Sequence, residues 1–183
     1  MIKRLTLPLK EEDILNLRAG DSVLLTGPMI TGRDAAHKRL HELLAEGKEL
    51  PIKIKGETIY YVGPAPAKEG HAIGPAGPTS SYRMDQFTPE LLDLGLKGII
   101  GKGIRNPEVI DSLVKNKAVY FAAIGGAAAL LAHSIKKAEV LCYEDLGTEA
   151  IRRLQVEDFP CFVAIDCEGN NLYATEAKKY HQD

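Results

Sequence analysis

Three observations predict an α/β fold. Strand-like and helix-like patterns alternate through the second half of the chain, the signature of strands joined through helices. In the first half a β-rich run reaches a Gly-rich turn and then an amphipathic helix, with Ala36, Leu40, Leu43 and Leu44 at helical spacing. The 183 residues, 45% apolar and 26% charged, match one soluble domain (residues 1–183) with a single core. A formal net charge of −2 offers no electrostatic case for nucleic acid or an anionic membrane, so any anion site must be local.

Taken in order, Ile2 to Leu9 alternates as a strand, and Glu11 to Leu17 is a short helix ending before Gly20. Asp21 to Thr26 is a second strand running into Gly27-Pro28 and Thr31-Gly32-Arg33. Asp34 to Glu46 is a helix stopped by Gly47. Arg33 therefore stands at a loop-to-helix junction, where unpaired first-turn N–H groups favour an anion. Gly56 to Val62 is β-rich and leads into a long loop that reaches Asp85; long loops in compact domains are usually functional.

Thr88 as N-cap and Pro89 at N1 start a helix that closes at Leu94 before Gly95. Lys97 to Ile100 is a short strand followed by Gly101-Lys102-Gly103, and Asn106-Pro107-Glu108 opens a capped helix. Ala118 to Ile124 is a strand that Gly125-Gly126 turns into a helix from Ala127 to Ile135. Glu139 to Tyr143 reads as a strand, and Thr148 as the cap of a helix from Glu149 to Leu154. Beyond Pro160, Cys161 to Asp166 is an apolar strand, Asp166 to Asn171 a turn, and Leu172 to Ala174 the returning strand of a hairpin. The tail from Lys178 is polar.

The most informative stretch is Gly74-Pro75-Ala76-Gly77-Pro78-Thr79-Ser80-Ser81-Tyr82-Arg83-Met84-Asp85. Proline fixes φ, glycine permits close approach, and Thr79, Ser80 and Ser81 set hydroxyls beside a guanidinium. Such a loop suits a carboxylate, which Arg83 can grip bidentately. Equally, it could be a capped turn in which the hydroxyls bond local backbone and Arg83 pairs with Asp85. Lys102, between two glycines, is either a solvated lysine or a second cation for a second carboxylate.

Other chemistry finds little support. Lys102 does not belong to a phosphate loop, because position 96 is Leu96 and no Ser or Thr follows. A dinucleotide fingerprint fails at Asn106. His37 and His41 stand at i and i+4 without an HExxH pattern, and Glu42 does not complete a metal site; His41 is expected to face solvent. Cys142, Cys161 and Cys167 are odd in number with no CxxC, so free buried thiols and a cytoplasmic location are expected. The start of the chain has too short an apolar segment for a signal peptide. The run from Ala118 to Ala132 falls short of the ~18 residues a membrane span needs.

Together, Thr31-Gly32-Arg33-Asp34-Ala35-Ala36-His37, the GPAGPTSSYRMD loop, Gly101-Lys102-Gly103 and VAIDCEGNNLY resemble the β subunit of class I iron–sulfur hydro-lyases. That group comprises two-subunit fumarate hydratases and L-tartrate dehydratases, and the likeness extends to the C-terminal domain of the single-chain versions. It runs in order over nearly the whole chain. It implies a swivelling β/β/α fold, and a [4Fe–4S] cluster held by a partner α subunit rather than by this chain. It also implies an α2β2-type assembly acting on fumarate, malate or a relative such as tartrate. In the matching motifs, Arg33, Arg83 and Lys102 would bind substrate carboxylates and Thr79 would take part in proton transfer. Ser80 stands where Thr is frequent, and Tyr82 where a small residue is also common. The competing expectation is a non-catalytic carboxylate-binding or regulatory module of the same fold.

Overall fold

The computed structural model describes residues 2–123 and 128–175. Its elements run β1 (Ile2–Thr6), α1 (Glu11–Asn16), β2 (Ser22–Thr31), α2 (Asp34–Ala45), β3 (Thr58–Tyr60), α3 (Thr88–Asp93), β4 (Gly98–Gly101), α4 (Pro107–Lys115), β5 (Val119–Ala122), α5 (Ala128–His133), β6 (Ile135–Cys142) and β7 (Ile151–Ile165). Strands β2, β3, β4 and β5 lie side by side and parallel. Strand β7 runs antiparallel to both β5 and β2, so these five strands close into a ring.

The long strands extend beyond the ring. The first half of β2 pairs with β1 (Ile2↔Ser22 to Thr6↔Thr26) and its second half with β3 (Ile30↔Ile59, Thr31↔Tyr60). β6 pairs with the first half of β7, from Ile135↔Val156 to Cys142↔Ile151. Alternation then sorts the apolar residues into two cores. Val23, Met29, Tyr60, Ile100, Phe121, Phe159 and Val163 come from every strand of the ring and fill its interior. Tyr60 and Phe159 meet there edge-to-face at 5.2 Å. Burying such a side chain is worth roughly 1.5–3 kcal/mol. Ile30, Ile59, Ile99 and Tyr120 point outward, under Leu40 of α2, Leu91 of α3 and Leu113 of α4.

Three assignments from the sequence are corrected at the C-terminal end. No helix spans Glu149 to Leu154: a 3-10 turn covers Glu144–Glu149 and β7 begins at Ile151. Ile151, Leu154 and Val156 are buried against two partner strands, which overrides local helix signals. Pro160 lies inside β7 instead of ending a region. The Val163 N–H points to the Asp21 carbonyl beside β2 (2.9 Å), so by alternation the Pro160 nitrogen faces the opposite edge. There β6 has ended and β5 has not yet begun, and no ladder bond is lost. Residues 172–175 form a helical turn, not a returning strand, and only an isolated bridge joins Ile165 to Asn171.

Smaller corrections concern termini. β2 continues past Thr26 through a bulge between Leu25 and Gly27. α5 stops at His133 and Ile135 already belongs to β6. Thr88 does not cap α3; its hydroxyl donates to the Met84 carbonyl (2.9 Å). Asn106 does cap α4, accepting from Val109 N at 2.9 Å. The Gly125-Gly126 turn and the tail from Lys178 lie outside the described residues.

Two buried polar groups fix the face above the parallel strands. Arg105, whose side chain is 0% exposed, places Nε 2.6 Å from Asp85 Oδ1. It also reaches the Thr88 hydroxyl (2.9 Å) and the Tyr61 hydroxyl (3.1 Å). Its guanidinium lies over the rings of Tyr61 and Tyr120. Burial opposes the charge, but Tyr61, Tyr120 and Asp85 more than offset it and hold the group above its ordinary value. The other Asp85 oxygen accepts from Asn106 N at 3.0 Å. Asp85 therefore does not pair with Arg83.

His37, on α2, is 1% exposed and packs against Tyr61 and Phe87. Its Nδ1 lies 2.7 Å from the Arg33 carbonyl, which can only accept, so Nδ1 carries the proton. Burial lowers its pKa to about 4; the Arg33 bond and Asp34 oppose that fall, and Arg105 adds to it.

Asp85→Ala should destabilise the chain by about 3–5 kcal/mol, because it strands a buried guanidinium. Denaturant unfolding checks this, and a second variant pairing Asp85→Leu with Arg105→Met should recover much of the loss. His37 predicts a pH effect of definite sign. Between its ordinary value of 6.5 and about 4 the unfolded chain binds a proton that the folded chain refuses. Stability should therefore fall as pH drops through that window, by on the order of 3 kcal/mol in total, with no further loss from this group below it. Urea titrations across that window, with His37→Gln as the flattened comparison, test it.

Candidate active site

The four residues singled out from the sequence all stand at the C-terminal ends of the parallel strands, where open α/β sheets gather ligand-binding loops. Arg33 follows β2, and Lys102 follows β4 immediately. The loop after β3 carries Thr79 and Arg83 back to the same rim. Thr79 N donates to the Tyr61 carbonyl (2.8 Å), and Ser80 forms a parallel bridge with Lys102. Ser81 N then donates to the Lys102 carbonyl at 2.9 Å.

Hydroxyls weld the two loops. Lys102 N donates to Ser81 Oγ (3.1 Å), which lies 2.8 Å from the Tyr120 hydroxyl. Tyr120 donates in turn to the Gly103 carbonyl at 2.8 Å, which leaves Ser81 as donor to Tyr120. Gly101 makes this possible: a Cβ there would lie 2.1 Å from Ser81 Oγ. Any side chain at 101 would push the Thr79–Ser81 segment off the strand ends.

Arg33 and Arg83 meet through Asp34, the first residue of α2. Arg83 Nε is 2.7 Å from Asp34 Oδ2, and Arg33 Nε is 3.9 Å from Asp34 Oδ1. Glu149, from the 3-10 turn before β7, stands 3.8 Å from Arg33 Nε and also accepts from Ala35 N at 3.3 Å. Gly63 gives the Arg33 stem its room, since a Cβ there would be 2.7 Å from Arg33 Cδ. Arg33 Nε and Asp34 Oδ1 are buried without a hydrogen-bond partner.

Lys102 is exposed and Thr79 half-buried. Among the described residues Lys102 makes no ion pair and the Thr79 hydroxyl no hydrogen bond. The rim thus sets three cations, Arg33, Arg83 and Lys102, against two carboxylates, Asp34 and Glu149, with Thr79 on the loop that carries Arg83. Such a surface can take up an anion and has groups for more than one carboxylate.

Of the two sequence readings of Arg83, the pairing with Asp85 is excluded, since Asp85 belongs to Arg105. Asp34 was visible in the GRDAAH segment, but nothing in the sequence marked it as the group joining two arginines. Arg105 and Glu149 were missed. Neither carries a local signal, and each reaches its partner only through the fold. His41, expected to face solvent, is 46% exposed and lies 2.7 Å from Glu90 Oε1. Two open cavities, of about 580 and 770 Å³, lie elsewhere and take in none of the four residues.

Comparison with known proteins gives this face a family. A family model described as Fumarase C-terminus matches residues 2–176, spanning Arg33, Thr79, Arg83 and Lys102. The anaerobic class I fumarate hydratase of Escherichia coli (strain K12) is 46% identical over 151 residues, 81% of this chain and 28% of that protein. Fumarate hydratase 2 of Leishmania major is 41% identical over 157 residues, 85% of this chain and 28% of that protein. The L(+)-tartrate dehydratase subunit beta of Escherichia coli (strain K12) is 36% identical over 185 residues, 98% of this chain and 90% of that subunit. The chain thus spans little more than a quarter of the fumarate hydratases it matches, and nearly all of a dehydratase β subunit. With the match running through every strand of the ring and every residue of the rim, the chain belongs to the Fumarase C-terminus family.

Proposed function

We propose that this chain is the β subunit of a two-subunit [4Fe–4S] hydro-lyase and supplies the carboxylate-binding half of its active site. Its reaction is the reversible hydration of fumarate to malate, or the dehydration of a related hydroxy-dicarboxylate such as tartrate. The observation that carries this reading is the convergence of Arg33 and Arg83 on Asp34, beside Thr79 and Lys102, at one rim. In this reading the whole chain is one domain of the swivelling β/β/α type, with the ring as its two β layers and the helices as its third.

A four-carbon dicarboxylate needs two anchors. The Arg83 fork suits one carboxylate bidentately, and Lys102 with Arg33 supplies charge for the second. Fixing both ends holds the reacting carbons in place, the entropic part of catalysis. In this reading Thr79 takes part in transfer of the reacting carbon's proton. An alcohol is far too weak a base unaided, so its activation falls to a group of the partner.

The three thiols of this chain do not suit a cluster. Cys142 ends β6, Cys161 lies within β7, and Cys167 follows it with Sγ 3.7 Å from the Ile14 carbonyl. Burial raises all three above the ordinary thiol range, away from the thiolate a metal requires. We therefore place the [4Fe–4S] cluster on a partner α subunit, in an α2β2-type assembly, and assign this chain no step through it. Tyr82 and Ile104, 67% and 66% exposed beside Arg83 and Lys102, support a face that a partner covers. Among the described residues no helix is long and apolar enough to cross a membrane; a cytoplasmic location is part of the same reading.

The purified chain should be colourless and inactive alone, and should gain hydro-lyase turnover once an anaerobically reconstituted α partner is added. Fumarate turnover with an iron–sulfur absorption band from this chain alone would refute the division of labour. Dicarboxylate binding without turnover in the complex would point to a binding module. Within the active complex, Arg83→Lys should lower kcat/KM about ten- to a hundredfold, the kinetic equivalent of roughly 1.5–3 kcal/mol for a lost charge-assisted contact. Thr79→Val, which keeps the shape and removes the hydroxyl, should lower kcat more than it raises KM. Steady-state kinetics with near-normal kcat/KM for both variants would remove this loop from the active site.

A further inference from the structure

We propose that Asp34 is a positioning residue for Arg83, holding the Nε edge of the guanidinium so that its terminal Nη fork is presented to a substrate carboxylate. This rests on the reading of the rim as a carboxylate site. Asp34 Oδ2 is 2.7 Å from Arg83 Nε, and the Arg83 side chain remains 45% exposed. The contact is an ion pair at the Nε edge, and no hydrogen bond among the described residues engages the two Nη groups, which stay available for a bidentate partner.

Stability does not account for the pair. With side chains 45% and 32% exposed, it belongs to the class of ion pairs that contribute little to folding. The buried Asp85–Arg105 pair, by contrast, is fully enclosed and multiply bonded. Nor is Asp34 a satisfied surface carboxylate: its Oδ1 is buried without a hydrogen-bond partner, 3.9 Å from the equally unpartnered Arg33 Nε. At 2.7 Å from Arg83 Nε but 3.9 Å from Arg33 Nε, this carboxylate fixes where Arg83 points and leaves Arg33 unheld. Its own direction is fixed because it opens α2, whose 12 residues start directly above the end of β2 and whose dipole favours an acid in the first turn. The opposite role, a counterion that competes with substrate for Arg83, makes the opposite kinetic prediction.

The test uses the reconstituted two-subunit enzyme with fumarate and tartrate as substrates. Asp34→Asn should raise KM about tenfold for the active dicarboxylate with a smaller change in kcat, while the thermal midpoint stays close to that of the parent. Asp34→Glu, which restores the charge, should recover part of the loss. In an Arg83→Gln background Asp34→Asn should add nothing further to KM, because Asp34 acts through Arg83. An unchanged or lowered KM in Asp34→Asn, or effects of the two substitutions that multiply, would overturn the positioning role while leaving the site intact. An unchanged KM in Arg83→Gln alone would overturn the carboxylate site itself, and the role of Asp34 with it.

Discussion

The architecture depends on β7. Four parallel strands joined through helices would leave two open edges and an uncovered apolar face. A single antiparallel strand of 15 residues bonds to β2 along one edge and to β5 and β6 along the other. Closure turns one face of the parallel strands into an interior filled by Tyr60, Ile100, Phe121 and Phe159, and it pairs the outer edges of β2 and β5, while β1 and β6 keep one outer edge each. The opposite face is left for α2, α3 and α4. The strand ends with their loops then form a platform that no part of the core has to supply. Pro160 is tolerated in this strand only because its nitrogen meets the gap between two partners.

On that platform the loop geometry is set by a buried charge. Asp85 receives Arg105 on one oxygen and the Asn106 amide on the other, so a single carboxylate ties the loop after β3 to the start of α4. Buried ion pairs seldom add net stability, since the desolvation of both partners is large. Specificity of conformation is a better account here. Arg83 lies in the 3-10 turn Ser81–Met84 that leads straight into Asp85, so pinning Asp85 also pins the turn. Tyr120 acts from below, bonded to both Ser81 and Gly103 on either side of Lys102.

What the sequence disclosed follows from this division. Parallel strands, their helices and the Asn106 cap were legible because each is set by local pattern: short apolar runs, Pro at N1, Gly at a stop. The rim positions Arg33, Thr79, Arg83 and Lys102 stood out because their loops concentrate Gly, Pro and cations, and the structure brings those loops to one edge. β7 was not legible as one strand, since Thr148-Glu149 imitates a helix start and Pro160 imitates a stop; only its three neighbours make it a strand. Arg105 and Glu149 were hidden for the same reason. Their partners lie 20 and 114 residues away, at Asp85 and Ala35, and nothing short of the fold brings them together.

The unsatisfied groups single out the same rim by a different route. Natural sequences agree with their folds at every level except where a site demands otherwise. Among the described residues, the buried side-chain atoms without a hydrogen-bond partner are Arg33 Nε, Asp34 Oδ1, His37 Nε2, Thr58 Oγ1, Arg105 Nη1 and Tyr143 Oη. The first three belong to one turn at the start of α2. Each unpaired buried polar group costs about 1–3 kcal/mol, so three together are a concentrated penalty that folding alone gives no reason to keep. The two flanking carboxylates, Asp34 and Glu149, are too far from Arg33 Nε to satisfy it, yet close enough to balance its charge. A guanidinium held in that state is neutralised without being saturated. Its Nε is closed to an incoming group, so it is the terminal nitrogens, which make no hydrogen bond among the described residues, that are left for an anion.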